Sequence, residues 1–191
     1  VASHPAWLYE KILAQWPEQA ATIFAANNQQ PPMTLRVNSS RLSREACLDI
    51  LQRQGIDASA GTLSPHALQL TRPMDVWTIP GFTTGMLSVQ DEAAQMAALL
   101  LAPRAGERIL DACAAPGGKA CHILEVQPAL AELVAMDIDA GRLQRVAENM
   151  ARLNLVATLV VGNATHPPPQ GLPASFDRIL GDAPCTASGV I

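Results

Sequence analysis

Ile109-Leu110-Asp111-Ala112-Cys113-Ala114-Ala115-Pro116-Gly117-Gly118-Lys119 passes from an apolar run through an acid into a loop of small residues and paired glycines. With the apolar triplet His122-Ile123-Leu124 following it, the stretch predicts a strand, a tight turn and the start of a helix. That is the form of a nucleotide-type cofactor site in an open parallel sheet. Small side chains let the backbone approach a ligand, glycines reach angles closed to other residues, and the helix start presents N–H groups to an anion. Two familiar motifs are excluded by the letters. Cys113 stands where a P-loop needs its first glycine and Ala120 follows Lys119, while a Gly-x-Gly-x-x-Gly fingerprint fails because the glycines are adjacent. A bare strand–helix turn without a ligand is the alternative reading of the loop alone.

Outward from the loop, strands and helices alternate. Arg108–Asp111 and Leu133–Asp137 predict the first two strands, Thr158–Val161 the third and Arg178–Asp182 the fourth. A helix over 141–154 carries Leu143, Val146, Ala147, Met150 and Leu153 at helical spacing, with Asp139 as its cap. Another over 92–101 precedes the first strand, giving a doubly wound, Rossmann-like α/β sheet over 81–191. Asp137 ends the second strand 26 residues after Asp111, near where such folds place the carboxylate that holds a ribose diol.

The N-terminal side reads differently. Residues 1–30 predict two short helices divided by Pro17. Residues 31–80 predict a small α+β unit: a half-buried strand at 33–37, a helix over 44–54 capped by Ser43 and closed by Gly55, and a second strand at 67–70. The turn from Pro80 to Gly85 marks the boundary between the two domains.

Composition sets bounds. The chain has 191 residues, 49% of them hydrophobic, enough for a real core, and no apolar run long enough to span a bilayer. No secretory signal pattern opens it. Cys47, Cys113, Cys121 and Cys185 show no Cys-x-x-Cys spacing, consistent with reduced thiols in the cytoplasm. Net charge is −4, with six basic and six acidic residues in 1–80 against seven and eleven in 81–191. That balance argues mildly against a broad basic nucleic-acid surface. Scattered histidines (His4, His66, His122, His166) without ligand spacing predict no metal site.

Cys113 to Lys119, taken with Asp182-Ala183-Pro184-Cys185-Thr186-Ala187-Ser188-Gly189, resembles the RNA cytosine-C5 methyltransferases of the Sun/Fmu (RsmB) family. The likeness continues through Ser88-Val89-Gln90-Asp91, Met136-Asp137-Ile138-Asp139, Pro32 to Asn38 and His4-Pro5-Ala6-Trp7-Leu8, and lies closest to the bacterial branch acting on small-subunit ribosomal RNA. The resemblance implies S-adenosylmethionine as methyl donor and RNA as partner, with the 31–80 unit an RRM-like RNA-binding subdomain. It places Cys113, Ala114, Ala115, Pro116, Gly117, Gly118 and Lys119 along the methionine side of the cofactor, Asp137 on the ribose, and Asp182 beside cofactor and base. Asn163 takes the place of an adenine-contacting aspartate, keeping an acceptor oxygen without the charge.

By the same resemblance, Cys185 of the Pro-Cys motif serves product release, while the attacking thiolate comes from a Thr-Cys motif that lies beyond Ile191. The chain therefore reads as a fragment, inactive alone. A non-catalytic module that binds RNA or cofactor is the alternative. Arg36, Arg41 and Arg44 stand either as RNA phosphate contacts or as a solvated face.

Overall fold

The computed structural model describes residues 3–166 and 172–183, in two compact units divided at Pro31/Pro32. In the first, α1 (Ala6–Gln15) and α2 (Ala20–Asn27) are separated by a turn holding Pro17, whose missing N–H suits a helix break. Ile12, Ala20 and Phe24 form their shared core, and Tyr9 stacks on Phe24 with ring centroids 4.8 Å apart.

The second unit contains two sheets. Its first is antiparallel, in the order β2-β3-β1-β4, built from β1 (Thr34–Val37), β2 (Ala58–Ala60), β3 (Ala67–Leu70) and β4 (Leu87–Val89). Helix α3 (Arg44–Arg53) lies against it, started by the Ser43 hydroxyl accepting from the Ala46 amide at 3.1 Å. Leu35 and Val37 join Cys47, Leu51, Leu68 and Leu87 in one core. The alternation of 33–37 predicts a strand with one solvated face, but all four residues of β1 are buried. The reason is the second layer: helix α4 (Glu92–Leu101) packs behind β1, with the Gln95 amide donating to the Leu35 carbonyl. Strands β2 and β4 are additions to the sequence reading. Three residues each, they are too short for periodicity to reveal, and β4 lies past the Pro80–Gly85 turn yet pairs with β1.

The second sheet is parallel throughout, in the order β7-β6-β5-β8, from β5 (Arg108–Asp111), β6 (Glu132–Asp137), β7 (Thr158–Val161) and β8 (Arg178–Leu180). Helices α5 (Gly118–Val126) and α6 (Ala140–Leu153) connect β5 to β6 and β6 to β7. Strand period two sends Ile109, Leu133 and Ala135 to one face, where α4, α5 and α6 all pack. Leu110, Val134 and Met136 face the other way, onto Leu172 and Phe176 of the connection into β8. The chain thus moves from β5 to β6 on one side and returns to β8 on the other. Order reverses at the carboxyl end of β5, the position where open sheets of this kind bind ligands.

Candidate cofactor site

Asp111 ends β5 at that reversal, and the following loop is pinned to both neighbouring strands. Ala112 donates its amide to the Leu180 carbonyl of β8 and Ala114 donates to Met136 of β6, each at 2.8 Å. Gly117 turns the chain into α5 with φ +100°, a left-handed backbone that disfavours any side chain. A Cβ there would also meet Val146 of α6 at 3.1 Å. The small residues therefore do two jobs: they bring the loop down onto α6 and leave its upper side open.

Asp137, the acid at the end of β6, has a partner on each carboxylate oxygen. One carboxylate oxygen accepts the Ala115 amide at 3.1 Å, the other accepts the Asp139 amide at 3.1 Å, and the Arg142 guanidinium lies 3.7 Å from the latter. Arg142 also donates to the Ala115 carbonyl, and Asn149 donates to the Pro116 carbonyl. These two supports were absent from the sequence reading, which took the apolar stripe of α6 and its Asp139 cap. The available signal was the Asp139 cap, whose side chain accepts from the Arg142 amide and so fixes that residue in the first turn.

Asp111 is the opposite case. Its carboxylate is buried and neither oxygen has a well-formed hydrogen bond among the described residues. Burial pushes its carboxyl up to about 6, further than the nearby Cys113 amide and Lys119 can pull it back, and Asp182 and Asp137 push the same way. Lys119 instead reaches the more exposed Asp182, with nitrogen and oxygen 2.5 Å apart. The Cys113 thiol is raised by partial burial and then by Asp137, Asp111 and Asp182. Three carboxylates around one loop, two of them facing Lys119 and Arg142, hold the neighbouring thiol in its neutral form.

Asn163 follows β7 and connects to the site through Gly162, whose amide donates to the Asp137 carbonyl at 3.0 Å. Its side-chain oxygen accepts from the amide and hydroxyl of Thr165 and closes a local turn. Cys185 lies outside the described residues. The other cysteines are core: burial raises the Cys47 thiol to about 11 and the Cys121 thiol to about 12.

The three arginines offered as RNA contacts are used inside the second unit. Arg36 is completely buried and forks onto Glu125 of α5 at 2.9 and 2.8 Å, while a further nitrogen donates to Gln90 and to the Gly118 carbonyl at the start of that helix. Arg41 donates to the carbonyls of Thr84 and Leu153, and Arg44 to those of Gly61 and Ser64. The histidines are less scattered in space than in sequence. His66 and buried His122 meet edge to face at 5.4 Å, and burial with the nearby Arg36 charge pulls His122 down to about 2. No metal-ligating cluster of three or more such side chains occurs among the described residues. No described helix is long and apolar enough to cross a membrane.

Comparison with known proteins agrees with this architecture. Residues 4–77 match the family model for the ferredoxin-like domain of RsmF/B-like methyltransferases, and residues 98–191 match that for 16S rRNA methyltransferase RsmB/F. The ribosomal RNA small subunit methyltransferase B of Pseudomonas syringae pv. tomato is 51% identical over 99% of this chain and 42% of its own length. That of Sodalis glossinidius is 50% identical over 98% of this chain and 43% of its own. The crystal structure of a methyltransferase homologue from Pyrococcus horikoshii superposes with a TM-score of 0.84 at 28% identity, covering 99% of this chain and 62% of that one. The chain thus spans less than half the length of the curated relatives it matches.

Proposed function

The chain belongs to the RsmB/F family of methyltransferases, and from that premise we propose that it carries the cofactor-binding portion of an enzyme that methylates cytosine C5 in small-subunit ribosomal RNA. S-adenosylmethionine is the cofactor of this family and supplies its methyl group from a sulfonium centre. The observation that carries the assignment to these residues is Asp111: a buried carboxylate with no well-formed hydrogen bond among the described residues, at the base of a loop of small residues, fits the ammonium group at the amino-acid end of that cofactor. The main chain from Cys113 to Lys119 follows the same end. Asp137 fixes the loop while its remaining lone pairs serve the ribose hydroxyls. Lys119 holds Asp182 at the rim, where the base enters.

Cytosine C5 becomes nucleophilic when a thiolate adds to C6, and the C5 proton must leave before that thiol is expelled. None of Cys47, Cys113 and Cys121 suits the attack. Two are buried with strongly raised thiols, and the third sits among carboxylates that oppose its ionisation. Cys185 takes the part of product release.

Calorimetric titration with S-adenosylhomocysteine tests the cofactor assignment. Micromolar binding, weakened at least roughly ten-fold by Asp137→Ala, is the expected result. Absence of binding, or binding indifferent to Asp137→Ala, overturns it.

A further inference from the structure

Arg36 is buried and Arg41 and Arg44 already donate to main-chain carbonyls, and a cleft beside the cofactor loop has the chemistry for an RNA contact of its own. It measures about 480 Å³ and lies between Trp77 and Phe82 on one side and α6 on the other, with Pro116 of the loop in its wall. Trp77 belongs to a short 3-10 turn, Val76–Thr78, whose start is fixed by the Asp75 carboxylate accepting the Trp77 amide at 3.0 Å. Trp77 is 66% exposed, so it is no part of the core, yet it is braced. Phe82 meets it edge to face at 5.1 Å, and the Arg152 guanidinium lies 4.2 Å from the Phe82 ring centre. Arg152 is itself fastened to the carbonyls of Phe82 and Leu87 and to the Ser88 hydroxyl. An exposed aromatic face on a preorganised base is a stacking platform for a nucleobase.

The opposite wall supplies the polar contacts. Arg145 lines the cleft, its charge felt by Asp139 without a close ion pair among the described residues, which leaves its guanidinium available for a phosphate. Glu148, three residues on along α6, is an acceptor for an exocyclic amino group and would repel a tract of phosphates. The combination selects a single base with one adjoining phosphate over the backbone of a duplex.

We infer that this cleft binds one unpaired nucleotide of the RNA, its base stacked on Trp77 and its phosphate on Arg145. The inference rests on the RNA reading above. Fluorescence anisotropy with a 5′-labelled single-stranded RNA of small-subunit sequence, and with the same RNA as a duplex, tests both separately. Trp77→Ala is expected to weaken single-strand binding roughly ten-fold with an unchanged melting temperature, and Trp77→Phe to restore most of it. Arg145→Ala is expected to lower the slope of log affinity against log salt by about one. If the protein binds single-stranded RNA and Trp77→Ala binds equally well, the inference fails while the RNA reading stands. An equal loss on the duplex also overturns it, because a stacked unpaired base is then not what Trp77 recognises. If the protein binds neither RNA, the RNA reading falls and takes the inference with it.

Discussion

Glu125 and Asp111 are both buried carboxylates, placed at the two ends of one strand–loop–helix segment, and their surroundings differ in kind. Glu125 receives a two-pronged guanidinium from Arg36 of the neighbouring sheet. Asp111 receives no well-formed hydrogen bond among the described residues. An acid removed from water is stable only when something replaces the water, so the first site is finished and the second is waiting. The finished one has a structural purpose. Arg36 also holds the Gly118 carbonyl, which ties the first sheet to the start of the cofactor helix. The waiting one marks where a ligand supplies the missing charge.

The largest way to break this contrast is to unfinish Glu125. Arg36→Met leaves its carboxylate buried and unpaired and is expected to cost about 3–5 kcal/mol, read as a lower midpoint in urea denaturation. Arg36→Met combined with Glu125→Met removes both charges and is expected to recover most of that loss. If the double variant is as unstable as the single one, the two charges are not compensating each other and the comparison collapses.

Changing Asp111 carries the opposite sign. Its carboxyl is raised from 3.8 to about 6, so the folded state holds the proton more tightly than the unfolded chain. The stability that this group contributes therefore falls as pH climbs from about 4 through about 6, by about 3 kcal/mol in total, and stays lower above that window. Asp111→Asn keeps the shape without the charge. It is expected to flatten this pH slope and to stabilise the free protein at pH 7, while weakening S-adenosylhomocysteine. Stability of the wild type and of Asp111→Asn measured from pH 4 to 8 isolates the group, and a difference between the two that does not change through this window would refute the assignment.

How much of this was legible beforehand follows the length over which each feature is encoded. The parallel sheet was readable because β5, β6 and β7 are apolar runs alternating with helices, and α6 carries its stripe over fourteen residues. The strand–turn–helix form of the loop and the position of Asp137 at a strand end were readable because they lie in adjacent letters. Arg36 was misread for the converse reason. Its burial depends on Glu125, 89 positions away, and a charged residue in an alternating strand ordinarily faces water. Nothing local marked Asp111 as unpaired either, since absence of a partner is a property of the folded neighbourhood. Asn163 could be located by motif, but the Thr165 contacts that occupy its oxygen depend on the turn the backbone adopts.

The smallest effect separates the paired glycines, which look equivalent in sequence. Gly117 has φ +100° and faces Val146 at 3.1 Å, so Gly117→Ala must adopt an unfavourable backbone and also push a buried side chain of α6. An expected loss of about 1–2 kcal/mol follows. Gly118 opens the helix with ordinary backbone angles, and a methyl there would touch only the Gln90 side-chain amide at 3.6 Å. Gly118→Ala should leave the denaturation midpoint unchanged or raise it slightly, because alanine is the better helix former. The two variants thus divide the loop into a hinge that shapes it and a helix start that presents it. A loss at Gly118 as large as that at Gly117 would mean that Arg36, through the Gly118 carbonyl, holds that helix start too rigidly to accept even one methyl group.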